Sequence, residues 1–108
     1  MSKIAVIGDR DSILGFKALG LGIFAVNSSE GALDQLKALM GGDYAAIFIT
    51  ENYAAPVVDR IAELEKEITL YPSIVIIPSH HGGQGLGMEK TRLMIEKAIG
   101  MSYGTEKE

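Results

Sequence analysis

Cysteine and tryptophan are absent from this 108-residue chain, and proline occurs only three times. Without cysteine there is no disulfide, no thiolate nucleophile and no cysteine-bound metal, a pattern that agrees with a reducing compartment. Excess basic charge is also lacking: 10 Lys and Arg stand against 14 Asp and Glu, a formal charge of −4. Residues 1–78 hold ten of the acidic and six of the basic side chains, and residues 79–108 hold four of each. No basic stripe is left to neutralise phosphates, and with aromatics at 6% and scattered there is no stacking ladder. Nucleic acid is therefore excluded as a partner. No apolar run approaches the ~20 residues of a membrane span, and the stretch Ile4 to Ile7 is too brief for a signal-peptide core. The expectation is a cytoplasmic protein with no direct membrane insertion.

What is present suits one small α/β domain. The hydrophobic share of 47% is ordinary for a globular chain. At this length folding buries roughly two-thirds of the unfolded surface. Four near-continuous apolar runs, residues 3–8, 22–27, 44–50 and 73–78, have strand length and the composition of strands buried on both faces. Helical segments separate them. Asp11 or Ser12 caps a short helix through Leu19, closed by Gly20. Ser28 or Ser29 caps a second, with Ala32, Leu33, Leu36, Leu39 and Met40 as its apolar stripe before Gly41 and Gly42. A third follows Thr50-Glu51-Asn52, with Pro56 in its first turn and Val57, Val58, Ile61, Leu64 and Ile68 facing inward. The alternation predicts a four-stranded parallel sheet with helices on both faces. By analogy with flavodoxin-like, receiver-like and Rossmann-like folds, the strand order is 2-1-3-4.

Residues 1–78 form the expected core, and residues 79–108 hold a glycine-rich hinge and a last helix. The hinge begins at Ser79 and contains Gly82, Gly83, Gly85 and Gly87. In the helix, Thr91, Met94, Ile95, Ala98 and Ile99 share an apolar face, while Glu89, Lys90, Arg92, Glu96 and Lys97 largely face away. Met88, Met94 and Met101 lie in or beside it, and flexible Met side chains suit a face that packs in more than one setting. Two placements are open to this helix: on its own sheet, or against a partner.

No complete catalytic motif emerges. Asp9 and Asp11 end the first strand at the edge where open parallel sheets bind ligands. A receiver domain would also need an Asp ending strand three and a Lys ending strand five. Strand three ends in Thr50-Glu51 and a fifth strand is missing, so Asp9, Asp11 and Ser12 are read as turn and cap residues. The glycines fit neither G-x-G-x-x-G nor a P-loop. Adjacent His80 and His81 have no further ligands to complete a metal site, and Ser79-His80 lacks a nucleophile elbow. No catalytic residue, metal or cofactor is expected. The chain reads as a binding module.

The opening IAVIGDRDSILGFKALGLGIF is followed in order by IFITE at 47–51, IPS and a glycine-rich stretch at 77–87, and EKAIG at 96–100. This ordered set resembles the F subunit of the V-type and A-type rotary ATPases. Lys17 stands where that family often has Arg, and residues 102–108 extend past its usual end. The resemblance implies a non-catalytic central-stalk, or rotor, component on the cytoplasmic side of the membrane complex. Such a component docks on the coiled-coil shaft, which is the D subunit. The membrane-sector adaptor and the catalytic A/B head are further partners. It tunes ATP hydrolysis or synthesis coupled to hydrogen-ion or other ion transport. The implied switch is the hinge with the last helix, namely Ser79, Gly82, Gly83, Gly85, Gly87, Met88, Met94, Ile95, Ala98 and Ile99. The alternative is a degenerate receiver domain acting as a signalling module.

Overall fold

The computed structural model describes residues 3–79 and 90–97. Its centre is a parallel four-stranded sheet of β1 (Lys3–Gly8), β2 (Gly22–Ala25), β3 (Tyr44–Thr50) and β4 (Ser73–Ile77), in the order β2-β1-β3-β4. This is the expected order. β2 stops two residues short of the anticipated Asn27, and β4 stops one short of Pro78.

Alternation along the strands divides the core into two layers, since successive side chains leave opposite faces of the sheet. On one face Ala5, Ile7, Ile47 and Ile49 pack beneath α2 (Ser29–Met40), which contributes Ala32, Leu33, Leu36 and Leu39. Ala54 of α3 (Glu51–Ala54), Val57 of a 3₁₀ turn (Ala55–Val57) and Ile61 of α4 (Val58–Glu65) complete that layer. On the other face Val6 and Ile77 meet Ile13 of α1 (Arg10–Ile13) and Phe16 of the 3₁₀ segment Leu14–Leu19. Ile95, in a last helix α5 over residues 90–97, packs against this second layer.

Burial on both faces holds for the inner strands β1 and β3 but not for the edge strands: β2 has no fully buried residue, and β4 is more exposed still. Val75 is 40% and Ile76 44% exposed, because β4 is an edge strand with β3 as its only neighbour among the described residues. An apolar run cannot report whether its strand is central or peripheral.

Three local expectations are also corrected. The first helix is capped by Asp9, one position beyond the strand, and not by Asp11 or Ser12; Ser12 is the residue whose N–H donates to that cap. The segment starts as α-helix and tightens to 3₁₀ before Gly20 closes it at φ 83°, a conformation open to glycine. The third helix is not continuous. Pro56 lies in the 3₁₀ turn between α3 and α4, where its ring forbids an unbroken α-helical ladder. The break rotates Val58 outward to 45% exposure while Val57 and Ile61 stay buried. The second helix follows expectation: the Ser28 hydroxyl accepts from Gly31 N–H at 2.9 Å and caps it.

Candidate functional site

The carboxyl edge of the sheet gathers Gly8, Asp9, Ser12, Thr50, Asn52 and Ser79. One Asp9 carboxylate oxygen, Oδ1, accepts from the Ser12 hydroxyl at 2.7 Å and from Asn52 Nδ2 at 3.2 Å. The other, Oδ2, accepts from the Ser12 backbone N–H at 3.1 Å. Asp9 thus joins the end of β1 to the first turn of α1 and, through Asn52, to α3. A carboxylate holding three such donors is a fixed structural acceptor, and it stabilises a helix start where orphan N–H groups need partners. Asp11 is exposed in the first turn of α1.

At the position ending β3, Thr50 is fully buried and its hydroxyl oxygen has no hydrogen-bond partner. It fills the space over Gly8: a Cβ on Gly8 would lie 2.6 Å from Thr50 Cγ2 and 2.8 Å from Ile13 Cγ2. The place where a receiver domain keeps its reactive aspartate is therefore taken by a neutral, closely packed side chain. Ser79, just beyond β4, is 2% exposed. Among the described residues no group of three or more His, Cys, Asp or Glu could hold a metal ion.

The second part of the site is α5 and the surface beneath it. Thr91, Arg92 and Ile95 are half-buried, whereas Leu93 is 50% and Met94 71% exposed. The spacings 91/95 and 92/95 define one helical face. Ile95 reaches the layer of Val6, Ile13, Phe16 and Ile77. Arg92 crosses Gly15 so closely that a Cβ there would lie 3.1 Å from Arg92 Cδ, and its Nη1 stands 3.5 Å from Glu96 Oε2. The sequence pattern puts Met94 on the apolar face and Arg92 off it; the packing reverses the two. The reason is that an Arg stem covers apolar surface while its head stays near water.

Of the residues expected to form the hinge and switch, Ser79, Met94 and Ile95 are placed in this way. Gly82, Gly83, Gly85, Gly87, Met88, Ala98 and Ile99 lie outside the described residues. Sequence reading missed the part of Asn52 and the glycine that receives Arg92. Neither carries a local signal, since each partner is more than forty positions away.

The family described as ATP synthase (F/14-kDa) subunit matches residues 4–95, from β1 into α5. The F subunit of a V-type ATP synthase from Clostridium botulinum (strain Eklund 17B / Type B) is 39% identical over 100 residues, covering 93% of this chain and 95% of the relative. Its counterpart from Clostridium perfringens is 36% identical, with 93% of each chain covered. The F subunit of an A-type ATP synthase from Methanocaldococcus jannaschii is 32% identical over 102 residues, covering 93% of this chain and 97% of the relative.

Proposed function

This chain belongs to the family of ATP synthase (F/14-kDa) subunits, and from that premise we propose that it is a non-catalytic central-stalk component of a V/A-type rotary ATPase. Residues 1–78 dock on the coiled-coil shaft, the D subunit, and residues 79–108 act as hinge and regulatory helix. The adaptor of the membrane sector and the A/B head are its further contacts. It works on the cytoplasmic side of the membrane; no helix of the described residues is long and apolar enough to cross one.

The observation that carries the regulatory half is how lightly α5 is held. Among the described residues its hold on the core is the half-buried Ile95 together with the Arg92 stem over Gly15, while Leu93 and Met94 are exposed. Full burial of such a side chain contributes about 1.5–3 kcal/mol, so a half-buried one contributes roughly 1. A short helix is marginal in water without a surface to lie on, and a contact of this kind can be exchanged for another surface at little cost. Ser79 sits at the fixed end of the segment that would allow the exchange. The carboxyl edge supports the non-catalytic half: the Asp9 carboxylate at the end of β1 is engaged as a helix cap and by Asn52.

Size-exclusion chromatography of the chain mixed with its shaft partner tests the docking, and a single heterodimer peak at micromolar concentration is expected. Two separate peaks would defeat the stalk reading. Hydrogen exchange tests the regulation. Amides of residues 90–97 are expected to exchange faster than those of β1 and β3 in the free chain and to slow on partner binding. Equal, strong protection with and without the partner would make α5 plain core.

A further inference from the structure

Among the described residues the outer edge of β4 has no neighbouring strand and carries the densest group of exposed apolar side chains. Eight large apolar side chains are substantially exposed among the described residues, and four of them, Leu70, Tyr71, Val75 and Ile76, fall within residues 70–76. Leu70 is 71% and Tyr71 65% exposed. Solvent-facing sheet edges are ordinarily blunted by lysines, bulges or a very short strand. β4 has none of these: it reads Ser-Ile-Val-Ile-Ile and pairs with β3 in unbroken register from Ser73 to Ile77. The opposite edge, β2, is one residue shorter and has no strongly exposed large apolar side chain.

Charge beside this patch gives the occupant its chemistry. A shallow depression next to Leu70 is lined by Glu65, Ile68 and Ile74. Nearby, Lys66 pairs with Glu63, and Arg60 pairs with Glu30. Glu65, in that lining, and Glu67, three positions before Leu70 in the chain, have no ion-pair partner among the described residues, so unpaired negative charge lies at the start of the apolar row. We infer that the β4 edge, through Leu70, Tyr71, Val75 and Ile76, receives one amphipathic helix of the coiled-coil partner, with Lys or Arg of that helix set against Glu65 and Glu67. The inference rests on the shaft-docking reading above and names the surface that reading leaves open.

A helix suits the edge better than an added strand. Val75 and Ile76 point to opposite faces of the sheet, and both are exposed, so a rod laid along the edge touches both. Ser73–Ile77 is roughly 16 Å long at ~3.3 Å per residue, the reach of about three helical turns. Pro72, directly before β4, has no N–H to extend a ladder.

The test is calorimetric titration of the full chain with the coiled-coil shaft protein at low and high salt. Variants are Leu70→Ser/Tyr71→Ser, Ile76→Lys and Glu65→Lys/Glu67→Lys, with Leu14→Ser as control and circular dichroism to verify folding. The first two are expected to weaken binding at least tenfold. The charge-reversal pair should weaken it and remove the loss of affinity that wild type shows on adding salt. Leu14→Ser should bind as wild type. Wild-type affinity in folded edge variants would overturn this inference and leave the stalk reading standing. Failure of wild type itself to bind would overturn both. Strong new exchange protection of β4 backbone amides with affinity indifferent to Glu65 and Glu67 would point to strand addition and also overturn the helical occupant.

Discussion

Gly15 and Arg92 approach so closely that a single methyl group on the glycine would lie 3.1 Å from the arginine Cδ. The 3₁₀ segment that follows α1 therefore presents bare backbone to the last helix, and the arginine stem lies in the space a side chain would occupy. No positive φ requires glycine here, since Gly20 alone has one among the described residues. The requirement comes from the contact.

Enlarging Gly15 should consequently separate the helix from the core. Gly15→Ala asks Arg92 to give by a few tenths of an ångström, and alanine's better helix propensity offsets part of that cost. Gly15→Val cannot be accommodated so cheaply. Exchange of amides 90–97 is expected to be little changed in the first variant and clearly faster in the second, with β1 and β3 unaffected in both. Unchanged exchange in Gly15→Val would remove Gly15 from the docking surface.

Asp9 and Asp11 should differ sharply on substitution. Asp9→Ala removes the N-cap of α1 together with the link to Asn52, and a lost cap costs about 0.5–2 kcal/mol. Asp11 is exposed in the first helical turn, so Asp11→Ala should stay within ~0.5 kcal/mol of wild type. Urea denaturation measures both. Equal losses would show that the cap has been assigned to the wrong residue.

Gly8 and Thr50 offer a pair of opposite predictions. Gly8→Ala forces a methyl to within 2.6 Å of Thr50 Cγ2 and should destabilise by about 1–3 kcal/mol. Thr50→Val replaces a buried hydroxyl that has no hydrogen-bond partner and should stabilise by roughly 1 kcal/mol. In the double variant Gly8→Ala/Thr50→Ala the two changes should be non-additive, because the residues touch. Thermal unfolding of these variants, with Thr50→Ala alone to complete the cycle, decides the matter.

Acid should weaken the tie between α2 and α4. The hydrogen bond from Arg60 holds the Glu30 carboxyl below its ordinary 4.5, with the charge of Arg60 adding to the effect. A depressed folded-state value contributes stability that is present above 4.5 and is lost as pH falls through the folded-state value. Both side chains are exposed, so the contribution is small and salt-sensitive. Glu30→Gln should be slightly less stable than wild type at about pH 7, and the difference should shrink as pH falls below 4.5 and Glu30 takes up its proton. A difference that persisted in acid would attribute the effect to packing.

How much of this could be read from the chain depends on the range of the interaction involved. Strand lengths, the apolar stripe of α2, its Ser28 cap and the Gly20 terminator all follow from patterns spanning a few residues. The strand order came from analogy with flavodoxin-like folds, and the structure has that order. The family resemblance was likewise visible in the order of short segments, and the family match over residues 4–95 bears it out.

The surfaces around α5 and the β4 edge were decided by contacts between residues far apart in the chain. Asp9, Asp11 and Ser12 are equally good caps locally, and the fold selects Asp9 because β1 delivers it beside Asn52, 43 positions away. Met94 and Ile95 are neighbours of similar apolarity, and only the position of Gly15 and the Phe16 layer turns Ile95 inward and Met94 out. Ile47 and Ile76 belong to equally apolar runs, yet the first is buried beside β1 while the second lies on an edge. Periodicity specifies which side chains of an element share a face. What covers that face is specified by neighbours that sequence separation hides, and in this chain those neighbours set both the docking of the last helix and the exposed edge of β4.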